Sequence, residues 1–534
     1  MKPLMKIMAP ALLGSALLFQ PAHAETPPTM LVVGFSMNNI LTLDPAAITG
    51  KETVQVLANI YDNLVSLNAV NRAQVDPQLA ESWKIADDNG SITFKLRKGA
   101  TFASGNPVTS ADVVWSFKRL MKLNLAQASF LKTHGFSAAN ADASFTAPDD
   151  STVVVTLPKK VDPEIIVQTL GIVGPGSILD MKTVMANEKN GDQGAAWLTN
   201  NSAGSGPFTL GSWQSNERVI LEQNAKYWGE KPAMRRIMMR HLAESQSQRL
   251  MLEKGDIDVA FSMSAADLKA LEANKNVKIQ TNGGSGFYYL AVSMKDDKFQ
   301  KPKVREALRY LIDYQGLNDS VLPYFGKLRD RPVPQGVFGA LPNAGYKLDV
   351  AKAKALLAEA GYPNGFSTTL RAISDVPFMS LATAIQATLA QAGIKAEILT
   401  GSGDQVYGAM RERKYELVVG RGGGGQLPHP DSNFRAIVYN PNNADEAKLT
   451  NFQGWRTSFY DEKINKMIDD ALVEGNKDKQ VKEYQDIQNY YADMMPAIQP
   501  FSEVVDSVGY RADIKGLELN PSWSTQLRTV KKER

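Results

Sequence analysis

The apolar period of this chain switches between helix and strand along its whole length, and that alternation limits its fold more than any single motif does. Residues 31–34 (Leu-Val-Val-Gly) read as a buried strand, while Val54, Leu57, Ile60, Tyr61 and Leu64 share one face of an expected helix over 53–64. Segments 82–84 and 92–96 alternate around Asp87-Asp88-Asn89-Gly90, whose Asn-Gly pair predicts a hairpin turn. Thr109-Ser110-Ala111-Asp112 predicts a capping box that opens a helix to about Met121. Strands are expected over 152–157, 208–214 and 219–223. The second half repeats the mixture. A β-prone run covers 287–292, and helices are expected over 303–313, 350–360 (capped by Asp349, stopped by Gly361) and 381–392 (stopped by Gly393). A strand over 394–399, helices over 461–474 and 478–492 and a last strand over 503–510 complete the pattern. There is no internal repeat and no low-complexity tract, so the expectation is an α/β protein of two or more lobes.

With 534 residues the chain has room for about three domains of ordinary size. Its 43% hydrophobic and 22% charged residues exclude a mainly disordered or fibrous protein. The absence of Cys removes disulfide scaffolds, thiolate metal sites and Cys nucleophiles together. A balance of 59 Lys+Arg against 56 Asp+Glu offers no electrostatic case for nucleic acid or an anionic membrane surface.

The first 24 residues read as an address. Lys2 and Lys6 precede an apolar or small run over 9–19, and Ala22-His23-Ala24 supplies a cleavage pattern before Glu25. A buried N-terminal helix is the plainer alternative, but the run is too short to span a bilayer, which takes roughly 20 residues. No Cys stands at the cleavage point, so no lipid anchor is expected, and no later run of 18 uncharged residues follows. The expected mature chain, 25–534, is soluble and exported, with a Gram-negative periplasm as its natural compartment.

Nine stretches in order resemble the family 5 extracellular solute-binding proteins, the periplasmic receptors of dipeptide, oligopeptide and nickel-type ABC importers. They are Leu43-Asp44-Pro45, Ile60-Tyr61-Asp62-Asn63-Leu64, the 77–83 run PQLAESW, the 94–102 run FKLRKGATF and the 105–117 run GNPVTSADVVWSF. Gly204-Ser205-Gly206-Pro207-Phe208 with Asn224 to Gly229, then Gly255-Asp256-Ile257-Asp258, Val304 to Leu308 with Ile312-Asp313, and the 351–366 run AKAKALLAEAGYPNGF follow. The resemblance covers essentially the whole mature chain. It implies a bilobed clamshell of the large three-region type with two hinge crossings, near 286–289 and 500–506. The first lobe would combine 25–60, 204–286 and 504–534 with an insertion over 61–203, and the second lobe would be 287–503. It also implies a monomer that captures a small-molecule or short-peptide ligand, needs no cofactor and delivers its cargo to an inner-membrane ABC permease.

The resemblance points to three places for a ligand. The segment after the first strand is Ser36-Met37-Asn38-Asn39, where Asn38 and Asn39 offer amide donors and acceptors, although the same residues suit a plain polar turn. Tyr288 and Tyr289 stand at the hinge and, as strand neighbours, point to opposite faces, so at most one of them faces the cleft. The second-lobe loop runs Gly420-Arg421-Gly422-Gly423-Gly424-Gly425-Gln426-Leu427-Pro428-His429-Pro430-Asp431. Four consecutive glycines permit close backbone approach to a ligand; a flexible surface linker is the other reading, and no Lys-Ser/Thr follows to make a phosphate loop. Dipeptide receptors of the family hold the peptide amine with an Asp in this loop and its carboxylate with an Arg. Those positions fall here on Gln426 or a neighbouring Gly and near Val376, which puts strict dipeptide specificity in doubt. Arg371 and Arg421 offer replacements for the Arg and Asp431 for the Asp, although a cap on the following turn is the plainer reading of Asp431, and Trp455 completes the candidate set.

Other functions find little support. There is no HExxH and no Gly-x-Ser-x-Gly, so no enzyme is expected, and Asp256 with Asp258 reads as a strand edge. The mature chain has only His134, His241 and His429, none of them paired locally, which argues against direct metal binding. A non-peptide solute, namely an opine, a sugar conjugate, a metal chelate or haem, remains the alternative cargo. Trp83, Phe94, Phe102 and Phe117 read as core rather than ligand contacts.

Overall fold

The computed structural model describes residues 26–71, 74–261, 263–424, 427–520 and 524–534. The expected leader over 1–24 and the loop residues Gly425 and Gln426 lie outside the described residues. Helices and strands alternate as the periodicity predicts, and the local signals act where they stand. The Thr109 backbone N–H donates to the Asp112 carboxylate at 3.0 Å, closing the capping box of helix Ser110–Leu123. Asp349 caps Val350–Glu359, and Ala80–Ile85 pairs antiparallel with Ser91–Leu96 across the Asn89-Gly90 turn.

Eleven strands among the described residues form one sheet. Its order runs Lys395–Gly401, Ser367–Ile373, Leu417–Gly422, Val277–Val292, Ile498–Arg511, Val259–Ala260, Met30–Phe35, Arg236–His241, Arg218–Gln223 and Phe208–Gln214, with Gly326–Leu328 also on Ile498–Arg511. The two long central strands pair antiparallel from Val277 opposite Arg511 to Gly283 opposite Val505. They lose register between Gly283 and Phe287, then resume to Ala291 opposite Ile498. The break falls at Gly284, where a Cβ would stand 2.8 Å from the Val504 carbonyl oxygen, too close for any side chain. Below the break the pair is flanked by Val259–Ala260, and above it by Leu417–Gly422, so the same two strands serve two halves of the molecule. Each half has its own core. One draws its buried residues from 287–501; another joins Leu31 to Tyr61 with 173–261 and 508–530. A third, built over 46–178 around the four-stranded sheet Ala80–Ile85, Ser91–Leu96, Thr152–Thr156 and Phe145–Asp149, also takes in Leu427 and Leu472 from the other half. Phe94, Phe102 and Phe117 are buried in that third core, with Trp83 packed against it.

The expected helix over 53–64 is shorter, Lys51–Leu57. The apolar face does continue to Leu64, but loop 204–208 claims the backbone beyond: Gly206 N–H donates to the Ile60 carbonyl at 2.9 Å and Phe208 N–H to the Asn59 carbonyl at 3.0 Å. Tertiary hydrogen bonds replace the helical ones, and Gly204 and Gly206 are glycines because the Ile60 carbonyl lies against them.

Two acidic residues of the family-like motifs are buried in ion pairs. Asp44 receives the Arg119 guanidinium through two bonds of 2.9 and 2.6 Å, tying the N-terminal segment to helix Ser110–Leu123. Asp258, expected at a strand edge, is fully buried. Its carboxylate accepts from Val32 N–H (2.8 Å), Thr26 Oγ1 (2.6 Å), Lys532 Nζ (2.8 Å) and Arg534 Nη2 (3.0 Å), so both ends of the described chain meet on it.

Candidate functional site

A cavity of about 370 Å³ opens where the register of the central strands breaks. Both halves line it. Ile48, Thr49, Gly50, Lys51, Val54 and Gln127 stand on one side, Arg421, Gly422 and Gly424 on the other, and Gly284, Gly286, Val504 and Asp506 form the hinge wall. Three of its residues carry formal charge: Lys51, Arg421 and Asp506. Enclosure lowers the pKa of the Lys51 ammonium; Asp506 opposes that shift, and the Arg421 cation adds to it. The cavity therefore holds two cations, both exposed to its solvent, against one carboxylate.

The strand register puts the two hinge tyrosines on opposite faces, and neither lines the cavity. Tyr288 sits opposite Arg421 across the antiparallel pair, so the two side chains share a face, whereas Tyr289 sits opposite Gly420 on the other face. Burial raises the pKa of the Tyr288 hydroxyl, and the Arg421 guanidinium hydrogen-bonded to it pulls the other way. The ring of Tyr289 lies over Gly420, where a Cβ would stand 2.7 Å from it. Its hydroxyl is buried without a hydrogen-bond partner among the described residues.

Much of the glycine run is set by packing. Gly420 makes room for Tyr289, and a Cβ on Gly422 would come within 2.7 Å of Gln453 Nε2. Gly423 has φ +83° and its Cβ would collide with the Ile437 side chain, while its carbonyl accepts from Asn433 Nδ2 at 3.1 Å. Gly424 reaches the cavity. Tyr407 fixes the start of the loop, its hydroxyl bonding both the N–H (2.9 Å) and the carbonyl (3.0 Å) of Arg421 and leaving the guanidinium to the cleft. Gly423→Ala is expected to lower stability by about 1–3 kcal/mol through strain and overpacking. Urea unfolding checks this, and an unchanged midpoint would mean that the loop is free to move away from Ile437.

The other expected residues are dispersed. Asn39 stands at the rim, its amide 3.2 Å from Glu52 Oε1 and its Cβ against Gly50. Asn38 is exposed beside it and does not line the cavity. Arg371 lies in strand Ser367–Ile373, half-buried, with Nε lacking a partner among the described residues, and it too is outside the cavity wall. Trp455 is buried in the second half, its indole N–H donating to the Ala444 carbonyl at 2.9 Å and Arg413 stacked at 4.1 Å. Asp431 is bound by Arg435 Nε at 2.9 Å inside helix Pro430–Ile437, whose cap is His429. Sequence reasoning missed Lys51, Gln127 and Asp506, since no motif marks them. Among the described residues no group of His, Cys, Asp or Glu is placed to hold a metal ion, and no helix is long and apolar enough to cross a membrane.

Residues 74–445 match the family described as bacterial extracellular solute-binding proteins, family 5 Middle. The chain is 30% identical over 518 residues to the probable D,D-dipeptide-binding periplasmic protein DdpA of Escherichia coli K12, with 94% of each chain covered. Among solved structures it is similar to HbpA2 of Haemophilus parasuis (TM-score 0.80, 24% identity, covering 95% of this chain and 100% of that one). The periplasmic binding protein DppA of Helicobacter pylori, solved with the peptide STSA, is also similar (TM-score 0.73, 24% identity, 95% and 98% covered). The fold is thus the bilobed clamshell of periplasmic binding proteins, with the two long strands crossing between lobes.

Proposed function

This chain belongs to the bacterial extracellular solute-binding proteins of family 5, and on that premise we propose that it captures a peptide or peptide-like solute in the hinge cavity and hands it to an inner-membrane ABC permease. The observation that carries this reading is the cavity walled from both lobes at the register break. A solute held there loses most of its surface to solvent, and contacts to both walls favour the closed arrangement that a permease can recognise. Two cations facing one carboxylate suit a ligand with a free carboxylate for Lys51 and Arg421 and an amine or amide for Asp506. Backbone groups of Gly422 and Gly424 suit peptide-like amides.

The reading includes the lobe division at 25–60, 204–286 and 504–534 against 287–503, with the insertion over 61–203. It also includes export through the leader over 1–24 without a lipid anchor, action as a monomer without nucleic acid, and no catalysis. Asn39, Tyr288, Arg421 and Gly424 are the expected site residues nearest the cavity. Gly423 supports the loop; Gly425 and Gln426 are proposed to continue it. Of the expected residues that are described, only Arg421 and Gly424 line the cavity; Asn38, Asn39, Tyr288, Tyr289, Arg371 and Trp455 do not.

The test is a mass spectrum of small molecules released from protein expressed with its leader and purified without refolding. A ladder of short peptides, or one carboxylate-bearing peptide, is the expected result. A single opine, sugar conjugate, chelate or haem mass would transfer the site to the alternative cargo, and a neutral solute would remove the charge assignment.

A further inference from the structure

The lobes also meet outside the hinge cavity, at the carboxylate of Asp162. Asp162 caps helix Pro163–Thr169, accepting from Glu164 N–H at 3.0 Å. Its other bonds all come from the opposite lobe. His429 Nε2 lies 3.1 Å and Gln480 Nε2 2.9 Å from Asp162 Oδ2, with Lys477 Nζ at 3.6 Å. Asp162 is buried, and His429 and Gln480 are almost wholly so.

The receiving side is rigid. His429 caps helix Pro430–Ile437 by accepting the Asp431 N–H at Nδ1 (3.2 Å), so the proton on the neutral ring sits on Nε2 and is donated to Asp162. Phe338 and Tyr484 pack edge-on against the imidazole at 4.9 and 5.7 Å. Lys477 lies over Phe338 at 3.7 Å and donates to Gln480 Oε1 at 2.9 Å. Gln480 Nε2 also donates to the Ala471 carbonyl at 3.1 Å. Leu427 and Leu472, from the same lobe, are buried in the core of the facing one. None of these residues lines the hinge cavity.

We infer that Asp162 with His429 and Gln480 is an interlobe latch, a set of positioning residues that holds the clamshell shut without touching the ligand. Opening strips the His429 and Gln480 donors and the nearby Lys477 cation from Asp162, whose cluster borders an interlobe cavity of about 830 Å³. The latch therefore stabilises the closed state specifically, and any ligand that selects that state gains the same factor in affinity.

The chain has no Cys, so introduced thiols report lobe contact cleanly. A Cβ on Gly475 would stand 3.0 Å from Asn89 Nδ2, across the same interlobe seam. The reporter is Asn89→Cys with Gly475→Cys, treated with a short bis-maleimide, and the rate of intramolecular cross-linking is measured. Asp162→Ser keeps a competent helix cap but is too short to reach His429. Gln480→Met removes a donor from the other side. Each is expected to slow cross-linking at least tenfold while the melting temperature stays within a few degrees of the reporter's. Equal rates in all three proteins would overturn the latch, and so would a reporter that never cross-links. The rate is read without ligand, so the outcome is separate from whether the cargo is a peptide.

Discussion

Replacing Asp258 by alanine should destabilise the half of the molecule built on Met30–Phe35 by about 3–5 kcal/mol, the usual cost of leaving a buried charge without its partner. The Lys532 side chain is fully buried, so losing the carboxylate strands its cation with only the Thr26 hydroxyl and the Pro27 carbonyl, while Arg534 keeps its pairing with Asp513. Val32 N–H and the Thr26 hydroxyl lose their acceptor at the same time. Asp258→Asn keeps the shape and can still accept from Val32, so its loss should be smaller but still above 1 kcal/mol. Calorimetry of both variants checks the order. The core drawn from 287–501 shares nothing with this cluster, so a transition belonging to that core should keep its midpoint. A loss below about 1 kcal/mol for Asp258→Ala would show that solvent enters the cluster and hydrates Lys532.

Arg421→Ala should weaken binding of the natural cargo by about 10- to 100-fold, equivalent to about 1.4–2.8 kcal/mol for one charge-assisted contact in an enclosed site. Unliganded stability should fall by no more than about 1 kcal/mol, because the guanidinium is exposed, Tyr407 holds only the backbone of this residue, and the one bond lost is that to the Tyr288 hydroxyl. Arg421→Lys keeps the charge but loses the planar fork and should fall between the two. Titration calorimetry with the released compound measures all three. Unchanged affinity in Arg421→Ala would remove the residue from the site and leave Lys51 as the cation that matters there. A matched fall in stability would instead mark Arg421 as a packing residue of the hinge through Tyr288.

The Gly-rich loop shows how a correct alarm can have two causes. Four glycines in a row after a strand are costly unless something needs them, and that much is visible in the residues alone. Position by position, Gly423 answers to Ile437 and Gly422 to Gln453, as Gly420 before them answers to Tyr289, while Gly422 and Gly424 also reach the cavity together with Arg421. Trp455 failed to reach the cleft for a related reason. Its indole satisfies a local carbonyl and stacks on Arg413, a fate that a lone aromatic in a sequence does not announce.

By itself the sequence determined what depends on near neighbours. Asp112 sits three residues from Thr109, Asn89-Gly90 sits between two alternating runs, and Asp349 precedes an apolar helix, so cap, hairpin and helix follow from spacing alone. The ordered run of motifs carried the clamshell for the same reason, since each is a local piece of chain. Only the tertiary structure decided what depends on residues far apart. It shortened helix Lys51–Leu57 by giving the carbonyls beyond it to loop 204–208, and it placed Lys51 and Asp506 beside Arg421. It also turned Asp258 from a strand edge into the buried partner of Lys532, and joined Asp162 to His429 across the lobes. Periodicity reports which face a side chain takes, but the partner a buried charge meets is set by chain topology, and no local spacing encodes it.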